Sequence, residues 1–251
     1  MSFIQAIILG LVQGITEFFP VSSSAHLRLA KWLLGVGDGE SFVLFDLICH
    51  TGTLLALLIF LRRDVWELMK IPKKTALYFL ALLPLIPAYF LLKPLRLAAS
   101  APPYLGYALM TTGALLFAAS RKKGPFGVRV KWKHVLCIGV MQTMALIPGI
   151  SRSGATIAAA RFCGWDWREA AKFSFLLAVP TILGGECLEL WKGIPDNGPA
   201  AACYAGAFLA AFGLGLASVR FIFWVYEMGN IKPFAWYCLG LGIFARVVFH
   251  G

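Results

Sequence analysis

The sequence predicts an all-α polytopic membrane protein with an inverted-topology repeat, about six transmembrane helices and two re-entrant helix–loop–helix hairpins. Three observations predict this fold. Of the 251 residues, 59% are hydrophobic and 14% are charged, whereas soluble domains carry about 25% charged residues. The charges are bunched between long apolar runs, as is typical of membrane proteins, and the two halves of the chain resemble each other. We therefore expect one membrane domain over 1–251, with repeat one at about 1–125 and repeat two at about 130–251.

Six apolar segments are each close to the ~20 residues that cross a bilayer core of ~30 Å. They are 42–61, 77–92, 104–119, 173–191, 200–218 and 234–249.

Two further apolar segments, 3–19 and 135–147, are interrupted in the same way. The first ends at Pro20 and the second at Pro148-Gly149, and a polar stretch and a shorter helical pattern follow each of them. Irregular backbone at membrane depth is tolerated only where it is buried in protein or lines a water-filled cavity. We therefore predict that both segments form re-entrant hairpins.

Basic residues orient this topology. Two loops, 62–74 and 121–133, hold eleven of the 23 Lys and Arg residues, and the positive-inside rule puts both loops in the cytoplasm. Two predicted spans separate the loops, so they must share a side, as the rule requires. Both termini then lie outside. This placement also explains the net charge of +11 without a nucleic-acid partner, and none is expected. The loop residues are Arg62, Arg63, Lys70, Lys73, Lys74, Arg121, Lys122, Lys123, Arg129, Lys131 and Lys133.

An internal repeat supports the same layout. When the chain is shifted along itself so that Gly10 falls on Gly139, three more identities appear: Gln13, Ser22 and Ser24 fall on Gln142, Ser151 and Ser153. Each half then has one hairpin and three spans, and an odd number of spans inverts the second half. Inverted repeats of this kind hold their functional site at the repeat interface near the bilayer midplane.

The first polar motif runs over 13–26. Gln13 and Glu17 lie four residues apart and share a helix face. After Pro20, the serines at 22–24 and His26 begin a new helix, whose free N–H groups favour an anion. One of the serines is expected to act as a helix cap. Capping does not explain Glu17, because a carboxylate within apolar sequence is costly and points to function.

The second polar motif runs over 148–156. Arg152 stands between Ser151 and Ser153, with Thr156 one turn further on. A guanidinium offers a planar fork of donors that suits phosphate. Arg152 is alternatively a structural partner of Glu17 across the repeat interface, and the two roles are compatible.

Together the motifs indicate a phosphoester or phosphoanhydride hydrolase whose substrate has a lipid tail. Glu17 suits a divalent cation, Mg²⁺ or Ca²⁺, and Gln13 offers a neutral oxygen to the same ion. His26 suits acid–base work near neutral pH. Asp46 and His50, four residues apart near the outer end of a span, are secondary candidates that could instead pair with each other or with Arg28.

At these motifs the sequence resembles the bacterial undecaprenyl-diphosphatase family, the bacitracin-resistance proteins. Gln13-x-x-x-Glu17, continued through 18–26, resembles the first family motif, and 148–156 resembles the second. Lesser similarities lie at 45–53 and 173–180. Many members have Glu where this chain has Gln13, so a metal here would depend more on substrate oxygens.

The resemblance implies removal of the terminal phosphate from undecaprenyl diphosphate, which regenerates the lipid carrier of peptidoglycan synthesis and confers bacitracin resistance. It also implies a divalent metal, a bacterial inner-membrane location and a site open to the extracytoplasmic side. The partner is the polyprenyl diphosphate lipid. A homodimer is compatible with the sequence, which does not fix the oligomeric state.

The resemblance also implies roles for the motif residues. Glu17 would bind metal or orient the attacking group, and Arg152 would grip the phosphates. The hydroxyls that would help Arg152 are those of Ser22, Ser151, Ser153 and Thr156. Ser23 is the expected nucleophile, with His26 as base or acid. Alternatively, metal-bound water attacks with His26 as base, and Ser23 only binds phosphate. A flippase of polyprenyl phosphate lipids, from a different functional class, would use the same inverted-repeat site.

Overall fold

The computed structural model describes residues 1–37, 42–122, 127, 130–193 and 199–249, and Lys123 and Arg129 of the basic loops lie outside these ranges. Most residues of these ranges are helical. The helices are α1 (Phe3–Thr16), α2 (Ser23–Leu33), α3 (Val43–Phe60), α4 (Arg62–Lys70), α5 (Pro72–Leu82), α6 (Leu85–Leu91), α7 (Lys93–Ala99), α8 (Pro102–Arg121), α9 (Trp132–Gln142), α10 (Arg152–Phe162), α11 (Trp167–Trp191), α12 (Ala201–Met228) and α13 (Lys232–Val248).

Four helical segments are long and apolar enough to cross a membrane: α3, the α5–α6 segment Pro72–Leu91, α11 and α12. The prediction of an all-α polytopic membrane protein is confirmed. The remaining two predicted spans coincide with α8 and α13, which pack against each other along their length.

Both predicted hairpins are present as pairs of helices joined by a tight connection. In the first, α1 ends at Thr16 and α2 begins at Ser23; in the second, α9 ends at Gln142 and α10 begins at Arg152. A short 3₁₀ turn, Thr143–Leu146, follows α9. The shift that places Gly10 on Gly139 also places both ends of α2 on the corresponding ends of α10, which supports the repeat predicted from the sequence.

Small residues bring the first helix of each hairpin close to a membrane span. A Cβ at Gly10 of α1 would overlap the carbonyl oxygen of Ala207 in α12, and a Cβ at Gly139 of α9 would overlap that of Ala81 in α5. Gly10 and Gly139 are repeat-related, and α5 and α12 are each the second span of their half. Small residues at an interface let helix backbones approach closely, and this strengthens packing inside a membrane.

The interface between α8 and α13 is reciprocal. A Cβ at Gly106 would lie 2.5 Å from the carbonyl oxygen of Gly242, and a Cβ at Gly242 would lie 2.8 Å from that of Gly106. These helices are the last span of each half, so this contact is the one expected on a two-fold axis between inverted repeats.

The largest buried cluster surrounds α10 and α11. Ile157, Phe175 and Tyr226 are fully buried in it, and Phe175 packs edge-on against Tyr226 with ring centroids 6.2 Å apart. Pro180 lies inside α11, where it removes one backbone hydrogen bond from the helix. The following turn of α11 forms one wall of the cavity described below. A rigid core thus supports the second hairpin from behind.

Candidate active site

The two hairpin connections meet at one cavity of about 330 Å³. Glu17 and the serines at 22–24 line it from the first hairpin, and Gln142 and residues 150–153 line it from the second. A hydrogen bond joins the two sides, because the backbone N–H of Gly149 donates to Ser24 Oγ at 3.4 Å. The motifs that the sequence predicts to form one composite site are therefore brought together.

Glu17 is the centre of the polar network in this cavity. Glu17 is only 7% exposed, which is low for a residue with a carboxylate. Arg152 Nη2 donates to Glu17 Oε1 at 2.8 Å, so the predicted ion pair across the repeat interface is present. Ser23 Oγ donates to the other oxygen, Oε2, also at 2.8 Å. The two carboxylate oxygens thus hold one residue from each hairpin.

Gln13 connects Glu17 to an imidazole from α3. Its Nε2 donates to Glu17 Oε2 at 2.9 Å and lies 2.8 Å from Nδ1 of His50. An amide nitrogen carries two protons, so both contacts are hydrogen bonds when His50 is neutral and protonated on Nε2. Nδ1 of His50 is also 3.4 Å from Glu17 Oε2. His50, a secondary candidate from the sequence, therefore belongs to the central network.

Two helix N-termini open into the same cavity. Ser23 is the first residue of α2 and Arg152 is the first residue of α10, so both helices direct their free N–H groups and positive dipole ends towards it. Ser22, which precedes α2, has φ of 70° and is the one described non-glycine residue with positive φ. Such backbone strain is held in place by the surrounding structure and clusters at functional sites.

The hydroxyls of the second motif divide between the cavity and the helix. Ser151 caps α10 by accepting from the backbone N–H of Gly154 at 3.1 Å, and its Oγ lies 3.2 Å from that of Ser153. Both serines line the cavity. Thr156 does not line the cavity: it donates to the Arg152 carbonyl and its Oγ1 lies 2.7 Å from Ser174 Oγ. The structure therefore gives Thr156 a role in fastening α10 to α11.

His26 lies outside the lining of the cavity. Its Nδ1 is 2.8 Å from the carbonyl oxygen of Ser22, and its Nε2 is 2.8 Å from the hydroxyl of Tyr237 in α13. The imidazole and the phenol ring are stacked with centroids 5.6 Å apart. The expected pairing of His26 with Ser23 as base and nucleophile is therefore not seen, because both ring nitrogens contact other atoms.

The remaining acidic candidates take different positions. Asp46 Oδ2 accepts from the buried Lys31 Nζ at 2.7 Å. Glu186, on α11, lines the cavity. It accepts a hydrogen bond from Thr51 at 3.2 Å. Sequence reasoning missed Glu186 because nothing in the linear pattern shows which face of a long apolar helix meets the site.

The donor chemistry of the cavity fits a cation that relies on its substrate. Among the described residues, no group of three or more His, Cys, Asp and Glu side chains could hold a metal ion. Glu17 supplies carboxylate oxygens, and the buried Oε1 of Gln13 has no hydrogen-bond partner within the described part of the chain. These are the oxygen ligands that Mg²⁺ and Ca²⁺ take, but such ions need about six. A cation bound there would take most of its ligands from phosphate and water.

The chain is similar to known proteins along almost its whole length. A family profile described as "Bacitracin resistance protein BacA" matches residues 6–244. The chain is 40% identical to a protein of Protochlamydia amoebophila named undecaprenyl-diphosphatase, over 99% of both chains. It is 35% identical to one of the same name from Christiangramia forsetii, over 99% of this chain and 98% of the relative. A third of that name, from Salinibacter ruber, is 36% identical over 96% and 97%.

Proposed function

Because the chain belongs to the bacitracin resistance protein BacA family, we propose that it does what the names of its relatives describe. The chain is an enzyme that hydrolyses undecaprenyl diphosphate to undecaprenyl phosphate and inorganic phosphate. This reaction regenerates the lipid carrier for peptidoglycan synthesis and confers bacitracin resistance. The relatives named above are phosphatases by name, and no observation favours a flippase instead.

One observation carries the proposed chemistry: a serine hydroxyl and a guanidinium are held on the same buried carboxylate, between two helix N-termini. Ser23 and Arg152 each contact Glu17 at 2.8 Å. An oxygen-rich anion placed there would meet a hydroxyl nucleophile, a fixed positive charge and free backbone N–H groups. Preorganised donors of this kind stabilise the charge that develops during phosphoryl transfer.

We propose that Ser23 is the nucleophile and Glu17 is its base. The Ser23 Oγ–H proton passes to Glu17 Oε2 as Oγ bonds to the terminal phosphorus, and the bond from that phosphorus to the bridging oxygen breaks. Undecaprenyl phosphate leaves with the bridging oxygen. Water then attacks the phosphoserine, Oγ takes its proton back from Glu17, and the protons of the water remain with the released phosphate. The atoms and protons balance over the two steps.

The other residues act by positioning. Arg152 holds Glu17 through Nη2 and offers its unpartnered Nη1 to the phosphates. Gln13 and His50 orient the carboxylate from the other side. His26 holds the carbonyl of Ser22, and with it the strained start of α2. A divalent cation, Mg²⁺ or Ca²⁺, would be held by Glu17 and Gln13 Oε1 and would neutralise phosphate charge.

We further propose that the enzyme lies in the bacterial inner membrane, with this cavity open to the extracytoplasmic side. The distribution of basic residues supports the orientation. The apolar part of the cavity lining supports a lipid substrate, because Leu47, Leu85, Leu146 and Ile182 stand beside the polar groups. A diphosphate head and the first isoprene units of its tail would therefore meet suitable surfaces in one cavity.

The test is phosphate release by the purified full-length protein. With undecaprenyl diphosphate and Mg²⁺ or Ca²⁺, we expect inorganic phosphate and undecaprenyl phosphate in equal amounts. A protein that binds the lipid and releases no phosphate would refute the hydrolase. Quenching in acid during turnover should trap phosphate on the wild-type protein and none on Ser23→Ala, which separates the serine route from direct attack by water.

A further inference from the structure

Gln142 is a buried side chain in the cavity with an unused donor. It is the last residue of α9, is 1% exposed, and lines the cavity. Its Oε1 lies 3.5 Å from the hydroxyl of Thr181. Its Nε2 is buried and has no hydrogen-bond partner among the described residues. A buried amide nitrogen without an acceptor is costly, so an acceptor from outside the chain is the expected partner.

The repeat-related residue, Gln13, shows what this amide does when an acceptor is present. Gln13 occupies the same place in the first hairpin, since the shift that superimposes the repeats places it on Gln142. Its Nε2 donates to Glu17, four residues further on, at 2.9 Å. Four residues after Gln142 the chain has Leu146 instead. The second hairpin thus keeps the donor and lacks the carboxylate that would satisfy it.

A second donor in the same cavity is also unused. Arg152 Nη1 is buried and has no partner in the described ranges, although Nη2 of the same guanidinium is bound to Glu17. An amide and a guanidinium that each keep one nitrogen without an acceptor, together with a helix N-terminus, are the donor set for an anion with several oxygens. Gln142 and Arg152 come from the two arms of one hairpin, so they would hold such an anion from two directions.

We propose that Gln142 is a phosphate-binding residue: its Nε2 donates to a phosphate oxygen of the lipid diphosphate, as Gln13 donates to Glu17. This inference rests on the proposed function, which supplies the diphosphate. In the second repeat, the substrate oxygen accepts from Gln142 as Glu17 accepts from Gln13 in the first repeat.

The experiment compares Gln142→Leu and Gln142→Glu in the purified full-length protein. The readouts are kcat and KM with undecaprenyl diphosphate, and the inhibition constant of inorganic pyrophosphate. Gln142→Leu should lower kcat/KM and weaken pyrophosphate inhibition by roughly 10- to 100-fold, the usual effect of losing a hydrogen bond to a charged group. Gln142→Glu should lower kcat/KM further and weaken pyrophosphate inhibition further, because a carboxylate of the same size repels phosphate.

A matched control is Thr143→Val at the next position. The hydroxyl of Thr143 donates to the carbonyl of Val140 in its own turn and the residue does not line the cavity. Its kcat/KM should stay within about twofold of wild type. Gln142→Glu keeps the size of the side chain and the oxygen that faces Thr181, so it remains informative if Gln142→Leu melts too early to assay.

The outcomes separate this inference from the proposed function. If wild type hydrolyses the lipid and both Gln142 variants bind pyrophosphate as wild type does, the inference is wrong and the hydrolase stands. If wild type releases no phosphate but calorimetry shows that Gln142→Leu binds pyrophosphate at least about tenfold more weakly, the phosphate contact stands and the hydrolase fails. Wild-type kinetics in Gln142→Glu would overturn the donor role.

Discussion

Replacing Arg152 should separate the stability of this protein from its activity. The side chains of Arg152 and Glu17 are 15% and 5% exposed, and their atoms are 2.8 Å apart. Arg152→Met keeps the length of the side chain but leaves the Glu17 carboxylate buried without its cation. Removing one partner of a buried ion pair destabilises proteins by about 3–5 kcal/mol. We expect a loss of this size in the free energy of unfolding, and a loss of at least ~10²-fold in kcat because a phosphate donor is gone.

The double variant Glu17→Gln with Arg152→Met makes the prediction sharp. A neutral amide in place of the carboxylate removes the uncompensated charge, and replacing a whole buried pair is often close to neutral. Stability in detergent, measured by thermal and denaturant unfolding, should return to within about 1.5 kcal/mol of wild type, while phosphate release stays at least ~10²-fold below that of wild type. Arg168→Met is the matched control, because Arg168 and Glu227 form an exposed pair at 3.2 Å with side chains 68% and 44% accessible. It should change stability by no more than about 1 kcal/mol. A single Arg152→Met variant as stable as the control, or a double variant as unstable as the single one, would refute this account of Glu17.

Ser23→Ala should lower phosphate release at least ~10²-fold with little change in stability, and substantial remaining turnover would exclude the serine nucleophile. His26→Asn should retain more activity than His26→Phe, because an amide N–H can still hold the carbonyl of Ser22; equal loss in both would instead favour His26 as a base. Gly139→Leu should lower the melting temperature because its side chain would displace α9 from Ala81, whereas Gly213→Leu, where a Cβ meets nothing within 4 Å, should not. Single cysteines replacing Arg96 in α7, which precedes α8, and Lys122 at the C-terminal end of α8 should react with impermeant reagent from opposite sides of the membrane; labelling of both from one side would contradict the topology.

The sequence predicts those parts of the structure that are marked by a local pattern or that occur in both repeats. Each hairpin is marked by a proline that interrupts an apolar run, and the identical residues in the two halves indicate which breaks correspond. The pairing of Glu17 with Arg152 follows from that correspondence, because the site of an inverted repeat lies where the halves meet. These predictions needed only spacing and the cost of burying charge.

The parts that the sequence leaves open depend on how helices rotate against each other. His50 reaches Gln13 because α3 turns that face towards α1, and His26 reaches Tyr237 because α2 lies beside α13. The sequence around a histidine in an apolar or serine-rich helix does not show which neighbouring helix its side chain faces. The place of His26 in the first motif therefore favours it as the acid–base residue, whereas tertiary packing brings His50 to the carboxylate.

The repeat also explains how one carboxylate, that of Glu17, contacts both the proposed nucleophile, Ser23, and the proposed phosphate-binding residue, Arg152. Ser23 and Arg152 are repeat-related, because each is the first residue of the second helix of its hairpin. Each contacts a different oxygen of Glu17, while the position related to Glu17 is Leu146. A symmetric pair of half-sites would have offered two carboxylates, or two cations, that repel each other at mid-membrane. Divergence at these two positions replaces that repulsion with an ion pair and a hydrogen bond. It leaves the unused donors of Gln142 and Arg152 on the second half, where a phosphate is the acceptor that fits.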